Sequence, residues 1–389
     1  MKILHQAGHN TTWNTDTLNT DRIGHGIIFS PVHLEYKRMI DISQSIKNDS
    51  ILDPQFYIPN SQKNKLNSYP FFPEKKLDGF STSAYHAISS EIAQECIEFQ
   101  IKQDYFALII PARYYSEMIT DYIDKQARFT VDAFLKIIND LKVRKKVFLT
   151  LPLTISMILD TKYRLSLLNW ITSYSTIDGI YLLVNFDENR KQILDYNKLL
   201  EYLKFIKEIK NTGLELITGY NNTEGLLLTL LDVDYITMGA YENTRKFSVD
   251  KFLDAEGDRR GPVARLYFPN LLNWVKFNSI IEIKSQHVEI WRKIYTPTEY
   301  MDNVIELNTA PHFTQPALYK HYFKLIEHQY QELFALNNIN ERKNKILEFI
   351  SVADDLYQEI FANRILIDQD SNGDHLTLWN RIIQEFDFD

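Results

Sequence analysis

Cysteine is nearly missing: Cys96 is the only one in 389 residues. A lone thiol excludes an intrachain disulfide and a cysteine-ligated zinc cluster, and it fits a reducing cytosol. Long apolar runs are missing too. No stretch approaches the ~20 residues that a membrane helix needs. The start, MKILHQAGHNTTWN, is too polar to be read as a signal peptide. Positive charge is not in excess. The formal net charge is −8, which argues against a broad nucleic-acid surface and leaves room only for a local basic patch. Short repeats and low-complexity tracts are absent as well.

Aromatic residues are what the chain has in quantity, with 23 Tyr and 23 Phe. Most of those rings must line a core or a pocket. The hydrophobic share of 44% and the charged share of 24% are those of an ordinary globular protein. The length fits one large α/β domain with an appendage, or two equal domains.

Residues 214–247 organise the rest. An apolar run at 214–218 ends in Gly219-Tyr220-Asn221-Asn222. A short helix follows at 223–231, and a second run at 235–238 ends in Gly239-Ala240-Tyr241-Glu242-Asn243. This strand–helix–strand unit requires a right-handed crossover and a sheet covered on both faces. Similar apolar runs stand at 23–31, 50–57, 105–111, 146–151, 179–186 and 263–268, with helical spacing between them. Residues 1–22 read as irregular. Pro152 closes the fourth run, and Gly213 stands where a glycine ends the helix 196–211. Eight runs alternating with helices predict a (β/α)8 TIM-barrel-like fold over 1–270; an open doubly wound sheet is the alternative. A helical C-terminal extension follows over 271–389, with helices at 318–336, 341–362 and 375–386, as an outer cover or an appendage. The aromatic, proline-bearing connection 59–85 is long enough to be a lid or binding loop.

In such a barrel the working residues stand at the C-terminal strand ends. That rule selects Ser30 and His33; Asp53, Gln55 and Tyr57; Arg113 and Tyr114; Thr150 and Thr154; Asn185 and Asp187; Tyr220, Asn221 and Asn222; Tyr241, Glu242 and Arg245; Tyr267 and Asn270. The same residue types also cap helices. Asp53 and Glu242 are the candidate catalytic carboxylates, because a buried carboxyl serves as acid or base and one beside an arginine stays ionised. Arg113 or Arg245 would be that arginine, or would grip an anionic substrate group. An Asp53–Arg113 pair equally suits a structural ion pair at the rim.

Several chemistries lack their residues. No His-x-His ends the first run, no HExxH or GxGxxG occurs, and no strand end carries a Schiff-base lysine. The acid that a barrel glycosidase needs near its fourth strand is missing. Arg259-Arg260-Gly261 could hold a phosphate from a loop. Asp368-x-Asp370-x-Asn372-Gly373 begins like a calcium loop, but its twelfth position is Trp379, so it reads as a helix-initiating turn. No metal or cofactor is expected.

Asp53 with the long aromatic loop after it, and the later segment 235–243, resemble the barrel tRNA-guanine transglycosylases and their DNA-modifying relatives, over the barrel only. The resemblance implies base exchange, in which a carboxylate attacks the ribose C1′, one base leaves and another replaces it, with Asp53 as nucleophile or acid/base. The family's Ser-Gly-Gly run after the aspartate is here Pro54-Gln55, and its cysteine-rich zinc site is absent. The expected function is an enzyme acting on a nucleoside or glycosidic bond by hydrolysis or base exchange. The alternative is a non-catalytic barrel that senses a ligand or joins a larger assembly. The expected partners are a small-molecule, nucleoside or nucleotide substrate and a protein met through the helical C-terminal region, with no membrane.

Overall fold

The computed structural model describes residues 1–76, 82–188, 191–254, 263–312 and 315–388. Eight parallel strands form one sheet: β1 Lys2–Gln6, β2 Gly26–Phe29, β3 Ile51–Leu52, β4 Ala107–Ile110, β5 Lys146–Thr154, β6 Gly179–Asn185, β7 Glu215–Thr218 and β8 Tyr235–Gly239. Their order is β3-β2-β1-β8-β7-β6-β5-β4. The edge strands β3 and β4 curl round to lie side by side, and Phe106 N donates to Ser50 O at 3.1 Å. The sheet is thus a nearly closed barrel. Every residue of β2, β4 and β8 is buried, as strands wrapped by helices require. Among the described residues no helix is long and apolar enough to cross a membrane.

Two strands differ from the expectation. The barrel begins at β1, within the segment read as irregular. Lys2–Gln6 pairs with β8 on one side and β2 on the other. The run at 263–268 does form a strand, β9 Arg265–Phe268, but it pairs antiparallel with β10 Asn273–Lys276 in a separate hairpin. It cannot join the barrel because β1 already occupies the seat beside β8, anchored by Lys2 N to Asp234 O at 2.7 Å. Strand β5 also runs past Pro152 to Thr154. The missing N–H is harmless there, since β4 pairs with β5 only as far as Leu149.

The helices follow from ordinary signals. Tyr196–Asn211 starts at Asp195, whose carboxylate accepts Lys198 N at 2.9 Å, and it buries Leu199, Leu203 and Ile206. It stops at Gly213, whose φ of +83° is the left-handed turn a helix end needs. Burying each of those aliphatic side chains contributes roughly 1.5–3 kcal/mol before entropy is counted.

The C-terminal helices cover the barrel. Ala317–Phe334 packs on β9 and reaches β1: Phe323 meets His5 edge-on at 4.7 Å, and Glu327 accepts Gly24 N at 2.6 Å. Ile339–Ala362 is tied to the β7–β8 connection by Arg342, which donates to Asp232 at 2.7 Å. Asp374–Glu385 follows the turn that resembled a calcium loop. There Asp368 and Asp370 face the Arg265 guanidinium.

Candidate active site at the barrel mouth

The chain leaves β3 through Asp53-Pro54-Gln55, and this short turn builds the centre of the site. Proline ends the ladder, and Gln55 takes φ +60°. Its side chain then folds back, accepting Val32 N at 2.9 Å and donating to Ser30 Oγ at 2.7 Å. Asp53 is left pointing into the barrel. Tyr57 OH lies 2.8 Å from each carboxylate oxygen, and Gln55 N donates to Oδ1 at 3.0 Å.

The loop after β8 closes over this carboxyl. It begins with a fold-back at Gly239, where a Cβ would stand 2.2 Å from Thr244 O. Only glycine permits that approach, which turns the chain so that Phe247, Lys251 and Phe252 enter the mouth. Phe247 packs on Tyr57, Tyr114 and Tyr220 with ring centroids 5.3–5.6 Å apart. Phe252 meets Tyr57 at 5.3 Å. Lys251 Nζ donates to Tyr220 OH at 2.5 Å and faces the ring of the same tyrosine at 3.9 Å. Tyr181 reaches Gln6 on β1, with 3.3 Å between the hydroxyl and Oε1.

Burial governs the charges. It pushes the Asp53 carboxyl up from the usual carboxylate range, against the opposing pull of the Tyr57 hydroxyl, the Lys251 charge and the Gln55 amide. It pushes the Lys251 ammonium well down, against the pull of Asp53. Acid and base are thereby drawn toward each other, which makes a proton easy to pass.

Two cavities flank the centre. One, of about 340 Å³, lies between the loops after β1 and β2 and is lined by His9, Thr11, His33, Arg38 and Lys65 among others. His33 connects it to the centre. Its ring is held neutral down to about pH 3, first by burial and then by the charges of Lys251, His9 and Lys65, and its buried Nε2 has no partner. The other is a cleft of about 200 Å³ bounded by Lys191, Asn222, Glu242, Arg245, Lys246, Arg265, Trp274 and Asp370. A narrow extension of about 30 Å³ runs from it past Glu224 to Tyr220.

The residues chosen by the strand-end rule divide among these places. Asp53, Gln55 and Tyr57 meet at the centre. Tyr114 joins them from above, donating N to Tyr57 O at 3.0 Å and accepting Asn185 Nδ2 at 2.9 Å. Asn185 also takes Asp187 N at 3.0 Å, so Asp187 shapes the turn after β6. Asn221 stitches β7 to β8 through Thr218 and Thr237. Tyr241 accepts Asn10 Nδ2 at 2.9 Å and stacks on Trp13, which makes it a strut. Arg245 lies 3.8 Å over the Trp274 ring and donates to the Gly239 and Ala240 carbonyls.

Three expectations are corrected. Glu242 pairs with Lys191 and lies 3.8 Å from Arg265 in the cleft, in different surroundings from Asp53. Arg113 stands against the Tyr115 and Phe129 rings, and the cation facing Asp53 is Lys251. Asn270 donates to Lys293 O at 2.8 Å at the tip of the hairpin, and the Tyr267 hydroxyl donates to Gln329 of a C-terminal helix, so neither polar group faces Asp53. Arg259-Arg260-Gly261 lies outside the described residues.

No family model, curated protein or solved structure matches the chain. The site therefore rests on its own geometry. Lys251, Gln6, Lys246, Trp274 and Glu224 were not selected from sequence. Gln6 would have been, had Ile3 and Leu4 been recognised as strand. Lys251 and Trp274 come from a loop and a hairpin that only tertiary folding brings to the mouth.

Proposed function

We propose that the chain is an enzyme that makes or breaks a glycosidic or nucleosidic bond at the mouth of its barrel. The supporting observation is the buried Asp53 carboxyl with the Lys251 charge acting on it, walled by Tyr57, Tyr181 and Tyr220. In this reading Asp53 attacks the anomeric carbon while the Lys251 ammonium gives its proton to the departing base or alcohol. The neutral amine then takes a proton from water or from an incoming base, which displaces Asp53. The tyrosines replace water around the sugar. Glu242 acts in the cleft instead, as part of the binding surface. The resemblance to base-exchanging barrels agrees with a carboxylate at this place, and a reducing cytosol suits the lone buried thiol.

The test is a panel of nucleosides, nucleotides and aryl glycosides, followed by chromatography of released base or sugar. Turnover of one class that disappears in Asp53→Asn and in Lys251→Met, with both variants still folded, supports the assignment. Turnover that survives Asp53→Asn removes it.

One observation favours a second reading, a non-catalytic barrel in an assembly: the centre is sealed by Phe247 and Phe252, both 1% exposed, while Phe361 and Leu366 near the end of a C-terminal helix are 57% and 82% exposed. Native mass spectrometry of gently purified protein separates the two by showing a bound small molecule or a second chain.

A further inference from the structure

The cleft beside the plugged mouth keeps polar atoms that nothing among the described residues satisfies. Trp274 Nε1 and Arg265 Nε are buried donors without an acceptor, and Asn222 Oδ1 is a buried acceptor without a donor. In the narrow extension Glu224 Oε2 is in the same condition. All four side chains are more than nine-tenths buried. Native proteins rarely leave such groups unpaired, and several together around one cavity call for a ligand.

The kind of ligand follows from what is unpaired. Four cations, Lys191, Arg245, Lys246 and Arg265, line the cleft with two carboxylates, Glu242 and Asp370. Both carboxylates are occupied: Glu242 by Lys191, and Asp370 by Arg265 at 3.4 Å. Arg245 is taken up by two backbone carbonyls. Lys246 has no ion pair within 4 Å among the described residues, and the nearby Glu188 belongs to Lys198 at 2.9 Å. An anion meets Lys246, Trp274 Nε1 and the Arg265 edge. Asn222 Oδ1 and the Glu224 carboxyl call for hydroxyl groups on the same molecule, which can donate to the first and either donate to or accept from the second.

We propose that this cleft binds a phosphorylated sugar, free or as part of a nucleotide, with its phosphate on Lys246, Trp274 and Arg265 and its hydroxyls on Asn222 and Glu224. Arg265 is already met by Asp368 and Asp370, so Lys246 supplies the charge while Trp274 Nε1 and Arg265 Nε supply hydrogen bonds; a phosphate presents three oxygens to these three donors, whereas a carboxylate presents two. The proposal names a substrate class for the reading above but stands apart from the chemistry of Asp53, because the residues that hold the ligand are a different set.

Isothermal titration of the full chain with ribose 5-phosphate, adenosine monophosphate, inorganic phosphate and plain ribose tests it. One saturable site for ribose 5-phosphate, with ribose and inorganic phosphate at least tenfold weaker, is the expected result. A tighter adenosine monophosphate marks a nucleotide site, and a tighter ribose 5-phosphate marks a sugar-phosphate site. Lys246→Gln weakens binding tenfold or more, while Lys246→Arg stays within threefold of wild type. Lys246 holds no ion pair among the described residues, so both variants fold; Lys191→Gln, expected to weaken binding about threefold, is a second probe. Asp53→Asn keeps the affinity, so failure of the catalytic reading leaves this one standing. Saturable binding of no phosphorylated probe, indifference to Lys246→Gln, or inorganic phosphate bound as tightly as ribose 5-phosphate overturns the proposal.

Discussion

The centre of the barrel mouth and the cleft beside it are built from the same strand-end loops, yet their polar atoms are settled in different ways. At the centre, Asp53 has the Tyr57 hydroxyl on both oxygens and a backbone amide besides, and Lys251 has Tyr220. In the cleft, Trp274, Asn222 and Glu224 each keep a buried atom with no partner. The network on Asp53 and Lys251 is saturated, although Gln6 Nε2 and His33 Nε2 beside it have no partner among the described residues; a saturated network holds a charge in place and can be worth more than its separate bonds. An unsaturated one is an expense that a ligand relieves. On the proposed reading, proton movement belongs to the centre and recognition to the cleft.

The contrast can be broken at four places. Lys251→Met should have the largest effect, roughly 3–5 kcal/mol of destabilisation at neutral pH, because it leaves a buried carboxylate uncompensated. Asp53→Asn combined with it should recover most of that loss in urea unfolding; a double variant no more stable than Lys251→Met would mean the two charges are not coupled. Gly239→Ala comes next. A Cβ 2.2 Å from Thr244 O forces the fold-back to shift, at about 1–3 kcal/mol, and should expose the Phe247 plug to faster hydrogen exchange.

Glu224→Gln addresses the cleft. Burial raises the Glu224 carboxyl to about 7, with the Asn222 and Glu224 amides and the Arg245 charge opposing. The folded state therefore holds this proton more tightly than the unfolded chain does, so its stabilisation is full at low pH. That stabilisation is lost as pH rises from the unfolded value through the folded one. The glutamine variant should gain on the order of 2 kcal/mol relative to wild type between pH 4.5 and 7, measured as paired melting curves; equal slopes in the two proteins would place the carboxyl in contact with water. Lys191→Gln is the smallest. Its pair with Glu242 lies at the rim, both side chains a third or more exposed, and its loss should change stability by less than about 0.5 kcal/mol.

Much of this architecture is legible from local pattern. Tyr196–Asn211 carries its period and its terminal glycine in plain view, and strands β2 to β8 each contain a buried apolar run. Asp53, Gln55 and Tyr57 follow from the strand-end rule because one tight turn places them. What pattern does not encode is partnership. The run at 263–268 is as apolar as a barrel strand, and only competition with β1 for the side of β8 sends it into a hairpin. Strand β1 itself has five residues, too few for a period to declare itself. Lys251 reaches Asp53 across most of the barrel sequence, and no spacing rule links a loop lysine to an aspartate so remote.

The position of β1 also sets an order of assembly. Its register places Lys2 beside Tyr235 and Gln6 beside Gly239, so the first strand of the barrel pairs with its last. Its other neighbour, β2, is soon available, but one ladder leaves an edge open to wrong partners. Phe323, which covers His5 from the C-terminal side, arrives later still. A growing chain carries an unfinished sheet from β1 until β8 is made, a state in which slow closure and aggregation compete.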